Sequence, residues 1–288
     1  MDKDGIAVPA WEALGFGFCE IGGVTPKEQK GQAKPRLFRI TEEEAIFNRM
    51  GCNNKGADNI SKTLEKTRRR FPLGINLAQS KKTQPEEAHI EFAKSLEKFR
   101  SVCDYFVLNV SSPNVPGVRD LQKKEMLSGI LKTLAPQRKK PMLVKISPDL
   151  SYQAIDDVVE LVMEHGLDGI VATNTTTDRP KRHLPIYGKC GGLSGTPLRA
   201  RSTGIIRHIR RVTEGQQLTI IGAGGINDAE SAWEKITAGA TLCQLYSGLV
   251  FQGPGVIADI LHGLIAQLRK HGLNDLQQAV GSSLPYTP

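Results

Sequence analysis

Short apolar runs of four to six residues recur along the chain, at 16–21, 73–77, 105–109, 142–146, 169–173, 218–221 and 241–246. They are rich in β-branched and aromatic residues and end in glycine or polar residues, the pattern of buried strands. Amphipathic stretches such as 86–99 and 154–165 lie between them, and another, 256–269, follows the last run. Continuously apolar strands alternating with helical patterns predict a parallel sheet covered by helices. No linker rich in Pro, Gly or Ser and no low-complexity tract divides the chain, so residues 1–288 read as one domain.

Two parallel architectures compete. A doubly wound dinucleotide fold calls for Gly-x-Gly-x-x-Gly after an early strand, with an acid about 20 residues on, and the chain lacks that motif. Polar residues instead close nearly every strand: Gly22-Gly23, Asn76, Asn109 to Asn114, Lys145, Thr173-Asn174-Thr175, Gly222 to Gly225 and Tyr246-Ser247. Chemistry gathered from many strand ends is the habit of a (β/α)8 TIM barrel. Seven strands are counted where a closed barrel needs eight. Two connections, 22–54 and 174–196, are long enough to be binding segments; the first carries Lys34-Pro-Arg-Leu-Phe-Arg-Ile, a candidate strand outside the barrel.

The densest polar strand end is Asn109-Val-Ser-Ser-Pro-Asn-Val-Pro-Gly117, where two prolines hold hydroxyls and amides on a rigid loop. Gly222-Ala-Gly-Gly225 ends a later strand and leads into a helix at Asn227-Asp228, so backbone N–H groups and a helix end can receive an anion. With Gln244-Leu-Tyr-Ser-Gly248 on the next strand it forms a candidate phosphate site; alone it reads as a tight turn. Lys145 ends a buried strand and needs an acceptor. An electron-accepting ring that gains negative charge suits it, and Asp149 is the plainer alternative. Asn48, Asn76, Asn109, Asn114 and Asn174, with Lys3, Thr173 and Thr175, suit the edge of a planar heterocycle.

Other chemistries lack their residues. His89, His165, His208, His262 and His271 read as helix residues or helix termini and His183 lies in the long loop, so no histidine stands at a strand end. No paired carboxylates and no metal-ligand spacing are present. The five cysteines are scattered and odd in number, which argues against disulfides and for a reducing compartment. The net charge of +8 comes largely from clusters at helix ends, Lys66 to Arg70, Arg138 to Lys140 and Arg207 to Arg211. Without interleaved aromatics these do not make a nucleic-acid surface, while a membrane surface stays open as a partner. No apolar run approaches the ~18 residues of a membrane span.

Together these segments resemble the class 2 dihydroorotate dehydrogenases. Asp2-Lys-Asp-Gly5, Glu20-Ile-Gly-Gly-Val-Thr-Pro26, Lys34-Pro-Arg-Leu-Phe-Arg39, Asn48-Arg-Met-Gly51, Asn109-Val-Ser-Ser-Pro-Asn114, Thr173-Asn-Thr-Thr176, Gly191-Gly-Leu-Ser-Gly195, Gly222-Ala-Gly-Gly225 and Gln244-Leu-Tyr-Ser247 follow in family order. The resemblance implies oxidation of (S)-dihydroorotate to orotate, with FMN as hydride acceptor and a quinone as final oxidant. It implies Ser112 as the base, where class 1 enzymes carry a cysteine. Lys3, Asn48, Arg49, Met50, Gly51, Cys52, Asn109, Asn114, Asn174 and Thr175 would hold the pyrimidine. Asp2, Lys3, Gly23, Asn76, Asn109, Lys145, Thr173, Gly195, Gly225, Tyr246 and Ser247 would hold FMN. The resemblance implies a peripheral place on the cytoplasmic side of the inner membrane, or a cytoplasmic one for a truly truncated chain.

The family's first strand, with an Ala-Ala-Gly turn before Asp2-Lys3, and the membrane-binding helices ahead of it do not occur in this sequence. The expectation is that the sequence starts late. Gly23 stands where the family has a hydroxyl residue, Cys52 where it has phenylalanine, and Val115 where it has threonine. The last two positions line the family's proton exit from the serine, so flavin reduction here is expected to be slowed, or to depend on the Cys52 thiol or a water. Two other readings remain: an FMN barrel acting on another pyrimidine, against which Ser112 and the asparagines argue, and a non-catalytic remnant.

Overall fold

A computed structural model describes residues 2–179, 185–188 and 190–284; His183 lies outside them. Seven parallel strands form one curled half-barrel: β1 (Cys19–Val24), β4 (Leu73–Leu77), β5 (Tyr105–Asn109), β6 (Met142–Ile146), β7 (Gly169–Ala172), β9 (Thr219–Ala223) and β10 (Leu242–Gln244), paired in that order. All seven expected strands are present, three with shifted starts: the first begins at Cys19 rather than 16, and the last two are Thr219–Ala223 and Leu242–Gln244. β1 and β10 stand at opposite ends of the order, and among the described residues no strand joins them.

The unbroken apolar runs follow from burial on both faces. In β5, Tyr105 and Val107 turn inward to meet Leu143, Val171, Ile221 and Ala223, with Phe18 packed against them. Phe106 and Leu108 turn outward into the layer between sheet and helices. Period-two alternation in a parallel strand thus fills two apolar layers. The Tyr105 hydroxyl donates to the Cys19 carbonyl at 3.1 Å. Its ring lies where a side chain at Gly74 would be, 2.1 Å from an added Cβ.

Helices α2 (Ala57–Glu65), α3 (Ala88–Phe99), α4 (Lys124–Leu134), α5 (Tyr152–Glu164), α6 (Arg199–Val212), α7 (Ala229–Thr237) and α9 (Val256–Lys270) form the outer layer, each packed on its neighbour in the series. In α3, Phe92, Leu96 and Phe99 fall on one face and are fully buried; such burial stabilises the fold by roughly 2–3 kcal/mol per side chain. The short helices α1 (Val8–Ala13) and α8 (Ser247–Gln252) complete the set. Among the described residues no helix is long and apolar enough to cross a membrane.

The two long connections build a second sheet. β2 (Leu37–Ile40) is the candidate strand outside the barrel. It pairs antiparallel with β3 (Ala45–Asn48), which pairs antiparallel with β8 (Gly192–Gly195). Gly195 makes the last contact possible: its φ is +99°, and an added Cβ would lie 2.1 Å from the Glu44 carbonyl oxygen. Gly195→Ala is therefore expected to cost at least ~2 kcal/mol in urea unfolding. Gly204→Ala, inside α6 where an added Cβ would meet only the Tyr152 hydroxyl at an ordinary 3.6 Å, should instead stabilise by about 0.5–1 kcal/mol.

Candidate active site

The expected polar residues gather at the C-terminal ends of the strands. Asn76 lies near the end of β4, Asn109 ends β5, Lys145 lies near the end of β6, and Thr173-Asn174-Thr175 follow β7. Their amides form one chain. The Asn109 side chain donates to Asn76 Oδ1 at 3.0 Å, and Asn174 donates to Asn109 Oδ1 at 3.2 Å and Ser111 Oγ at 3.0 Å. A second tie reaches the small sheet: Asn114 donates to Asn48 Oδ1 at 2.9 Å, and Asn48 donates to the Gly192 carbonyl at 3.3 Å. Arg49, Met50 and Gly51 continue from Asn48, and the Met50 carbonyl accepts from the Gln32 N–H. Buried amides in mutual contact hold fixed orientations, because each lost partner would leave an unsatisfied polar group.

Ser112 sits on the loop after β5, 6% exposed, and its Oγ accepts the Asn114 N–H at 3.4 Å. Its side chain also hydrogen-bonds Cys52, which is buried and holds φ at +51°. Burial pushes the Cys52 thiol up, against the pull of Lys3 and the Ser112 bond. Burial likewise pushes the Lys3 ammonium below its usual range, and Cys52, Glu20 and Asp4 oppose that. Val115 is buried. Among the described residues, Asn114 Oδ1, Thr175 Oγ1 and Arg49 Nε have no hydrogen-bond partner.

Lys145 removes the plainer alternative raised for it. Its partner is not Asp149: its ammonium donates to Glu20 Oε1 at 2.9 Å and to Gln244 Oε1 at 3.2 Å. Asp149 is held by Arg119 at 2.7 Å and by the Thr177 N–H at 2.7 Å. Burial pushes the Asp149 carboxyl up, but bonds from Thr176, Thr177 and Arg119 hold it below the usual range. Arg119 also donates to the Thr175 carbonyl at 3.0 Å and the Ser111 carbonyl at 3.4 Å. It joins the loops after β5 and β7. Sequence reading missed Arg119, and no periodicity marks it.

The glycine turn is present and differs in one respect. Gly224 and Gly225 adopt φ of +123° and +71°, and Gly225 lies against Arg199 with no room for a side chain. The positive end of α7, expected to help receive an anion, is taken by Asp228, whose carboxylate accepts the Ser231 N–H at 2.7 Å. Side-chain capping is absent from α8, which begins at Ser247 after Tyr246, and the Ser247 and Ser194 hydroxyls lie 2.8 Å apart. Asp2 is buried with its carboxylate committed to the Ile6 and Ala7 N–H groups and the Trp11 indole. Gly23 faces Ala78 and Asn76; an added Cβ would come within 2.7 Å of the Ala78 methyl. No cluster of three metal-ligating side chains occurs among the described residues.

A parallel half-barrel with buried amides, a serine loop and a glycine turn at its strand ends defines an α/β barrel of the TIM type. The family model described as dihydroorotate dehydrogenase matches residues 1–268. The quinone-dependent dihydroorotate dehydrogenases of Trichodesmium erythraeum and Gloeobacter violaceus are each 49% identical to this chain over 97% of its length, covering 78% and 79% of their own. A crystal structure of the dihydroorotate dehydrogenase from Eimeria tenella in complex with ferulenol superposes with a TM-score of 0.92 at 32% identity, covering 98% of this chain and 82% of that one. The chain belongs to the dihydroorotate dehydrogenase family, within its quinone-dependent class.

Proposed function

We infer that the protein oxidises dihydroorotate to orotate in pyrimidine biosynthesis and passes the electrons to a quinone. The observation that carries this reading is the set of buried strand-end amides around Ser112, in a chain of this family. Asn114 Oδ1 and Thr175 Oγ1 are acceptors without partners, and a dihydropyrimidine edge supplies N–H donors. Lys3 complements its carboxylate. Arg119 positions Ser111 and Thr175 by holding their carbonyls.

The same face fits FMN. Asn76, Asn109, Lys3, Lys145 and Thr173 offer donors and acceptors to a ring system; Asp2 and Gly23 shape its wall; the backbone at Gly195 and Gly225, with Tyr246 and Ser247, suits a phosphate. Bound there, FMN supplies the two-electron acceptor for the hydride from C6. The protein's part is to take the proton from C5, and Ser112 Oγ is the base. Membrane contact is peripheral in this reading. A flavin absorbance band in the purified protein, bleached by dihydroorotate without oxygen and restored by a quinone, tests it. A colourless chain that cannot be reconstituted with FMN would overturn it in favour of a non-catalytic barrel.

Ser112 loses its proton in a corner where its ionisable neighbours are Cys52 and, beyond it, Lys3. Only the thiolate of Cys52 can accept this proton, and burial favours the thiol, so a relay through Cys52 makes the rate rise with pH through the Cys52 ionisation. Cys52→Phe combined with Val115→Thr is expected to change both the rate of flavin bleaching and its pH profile. An unchanged profile would show that Cys52 takes no part.

A further inference from the structure

The two edges of the open sheet are joined by side chains. Glu20 stands in β1 and Gln244 in β10, the strands at opposite ends of the pairing order. The Gln244 amide donates to Glu20 Oε2 at 3.1 Å. Glu20 Oε1 accepts the Asn76 amide at 2.7 Å and the Lys145 ammonium at 2.9 Å. One carboxylate therefore receives donors from β4, β6 and β10, and its side chain is only 5% exposed.

Charge makes this more than a structural tie. Lys3 feels both Lys145 and Glu20, so two lysines share one buried carboxylate. The other acid beside Lys3, Asp4, accepts the Lys55 N–H at 2.9 Å in exposed surroundings. Burial pushes the Glu20 carboxyl up, yet Lys145 and the bonds from Gln244 and Asn76 leave it below the usual range, so it is ionised. In a buried corner a unit charge acts over many ångströms with little screening. Lys145 also sits in register with Asn109 on the neighbouring strand, level with the amides of the site.

We propose that Glu20 is a positioning residue of the flavin pocket: it holds the Lys145 ammonium at the mouth of the half-barrel and offsets its positive charge beside the bound ring. The inference rests on the flavin reading above. A ring that gains negative charge on reduction is stabilised by positive surroundings, so removing the Glu20 charge favours the reduced form.

The test is spectroelectrochemical titration of FMN bound to the wild-type chain and to Glu20→Gln, which keeps the size and an acceptor for Lys145. The expected result is about a tenfold shift of the reduced-to-oxidised binding ratio toward reduced flavin, which is ~30 mV upward for a two-electron couple. Gln244→Leu, which cuts the tie between the edges and keeps the Glu20 charge, is expected to lower the thermal midpoint and to raise the potential less than Glu20→Gln does; an equal rise overturns the proposal. An unchanged or lowered potential in Glu20→Gln overturns the proposal. If that variant purifies without flavin, Glu20→Asp decides: retention of FMN at the wild-type potential supports a charge role, and a colourless Asp variant overturns it. Failure of the flavin reading itself is seen separately, because then the wild-type chain takes up no FMN.

Discussion

Replacing Ser112 with alanine should slow the bleaching of bound flavin by dihydroorotate by about 10²–10⁴-fold, the usual contribution of a positioned general base. Binding of orotate, measured through the flavin spectrum, should change by less than about tenfold, since the amide framework does not depend on Ser112 Oγ. The reason is the geometry of the hydroxyl. Its oxygen accepts from the Asn114 N–H and its side chain meets Cys52, so it is aimed on both sides while buried. A serine is a weak base at neutral pH, and it works only if its own proton can move on. Ser112→Cys provides the sharper arm. A thiol in the same place ionises more readily, so the variant should recover part of the rate, with activity rising as pH rises through the thiol range. A Ser112→Ala enzyme that bleaches at the wild-type rate would remove Ser112 from the chemistry.

The barrel strands were legible because parallel strands buried on both faces must be largely apolar; β7 shows that without a break, and β4 and β5 are broken only by the asparagines near their ends. The small sheet was only half legible. Leu37–Ile40 carries a strand pattern, but Gly192–Gly195 has no periodicity to read, and it is a strand because Ala45–Asn48 pairs with it. The strand-end asparagines could be picked out because polar residues directly after apolar runs have one place to go. Arg119 and Glu20 could not be assigned roles in the same way, since their partners come from other parts of the chain. Lys145 shows the limit plainly. Asp149 is four residues away in sequence, while the true partner lies 125 residues away on the first strand. The signal that was available is Glu20 itself: a carboxylate inside a buried strand requires a cation or strong donors.

Lys145→Met should destabilise the apoprotein by about 3–5 kcal/mol at neutral pH, the cost of leaving a buried partner charge alone. It should also reverse the pH response of this site. In the wild-type fold the Glu20 carboxyl lies below its unfolded value: burial pushes it up, but Lys145 and the bonds from Gln244 and Asn76 outweigh burial. Its contribution is therefore fully present above the unfolded carboxylate range, and is lost as pH falls through the folded value. Without the ammonium, burial prevails and the folded value rises above the unfolded one. The ionised carboxylate then opposes folding at neutral pH, and protonation on acidification relieves it. Urea unfolding between neutral pH and about pH 5 should show the variant gaining stability where the wild type holds steady or loses it. Adding Glu20→Gln to Lys145→Met should restore most of the loss, because the two residues act on one pair. If the double variant is no more stable than Lys145→Met, or if the single variant weakens with acid as the wild type does, the cost lies in packing of the lysine stem and the buried pair is not what holds Lys145 in place.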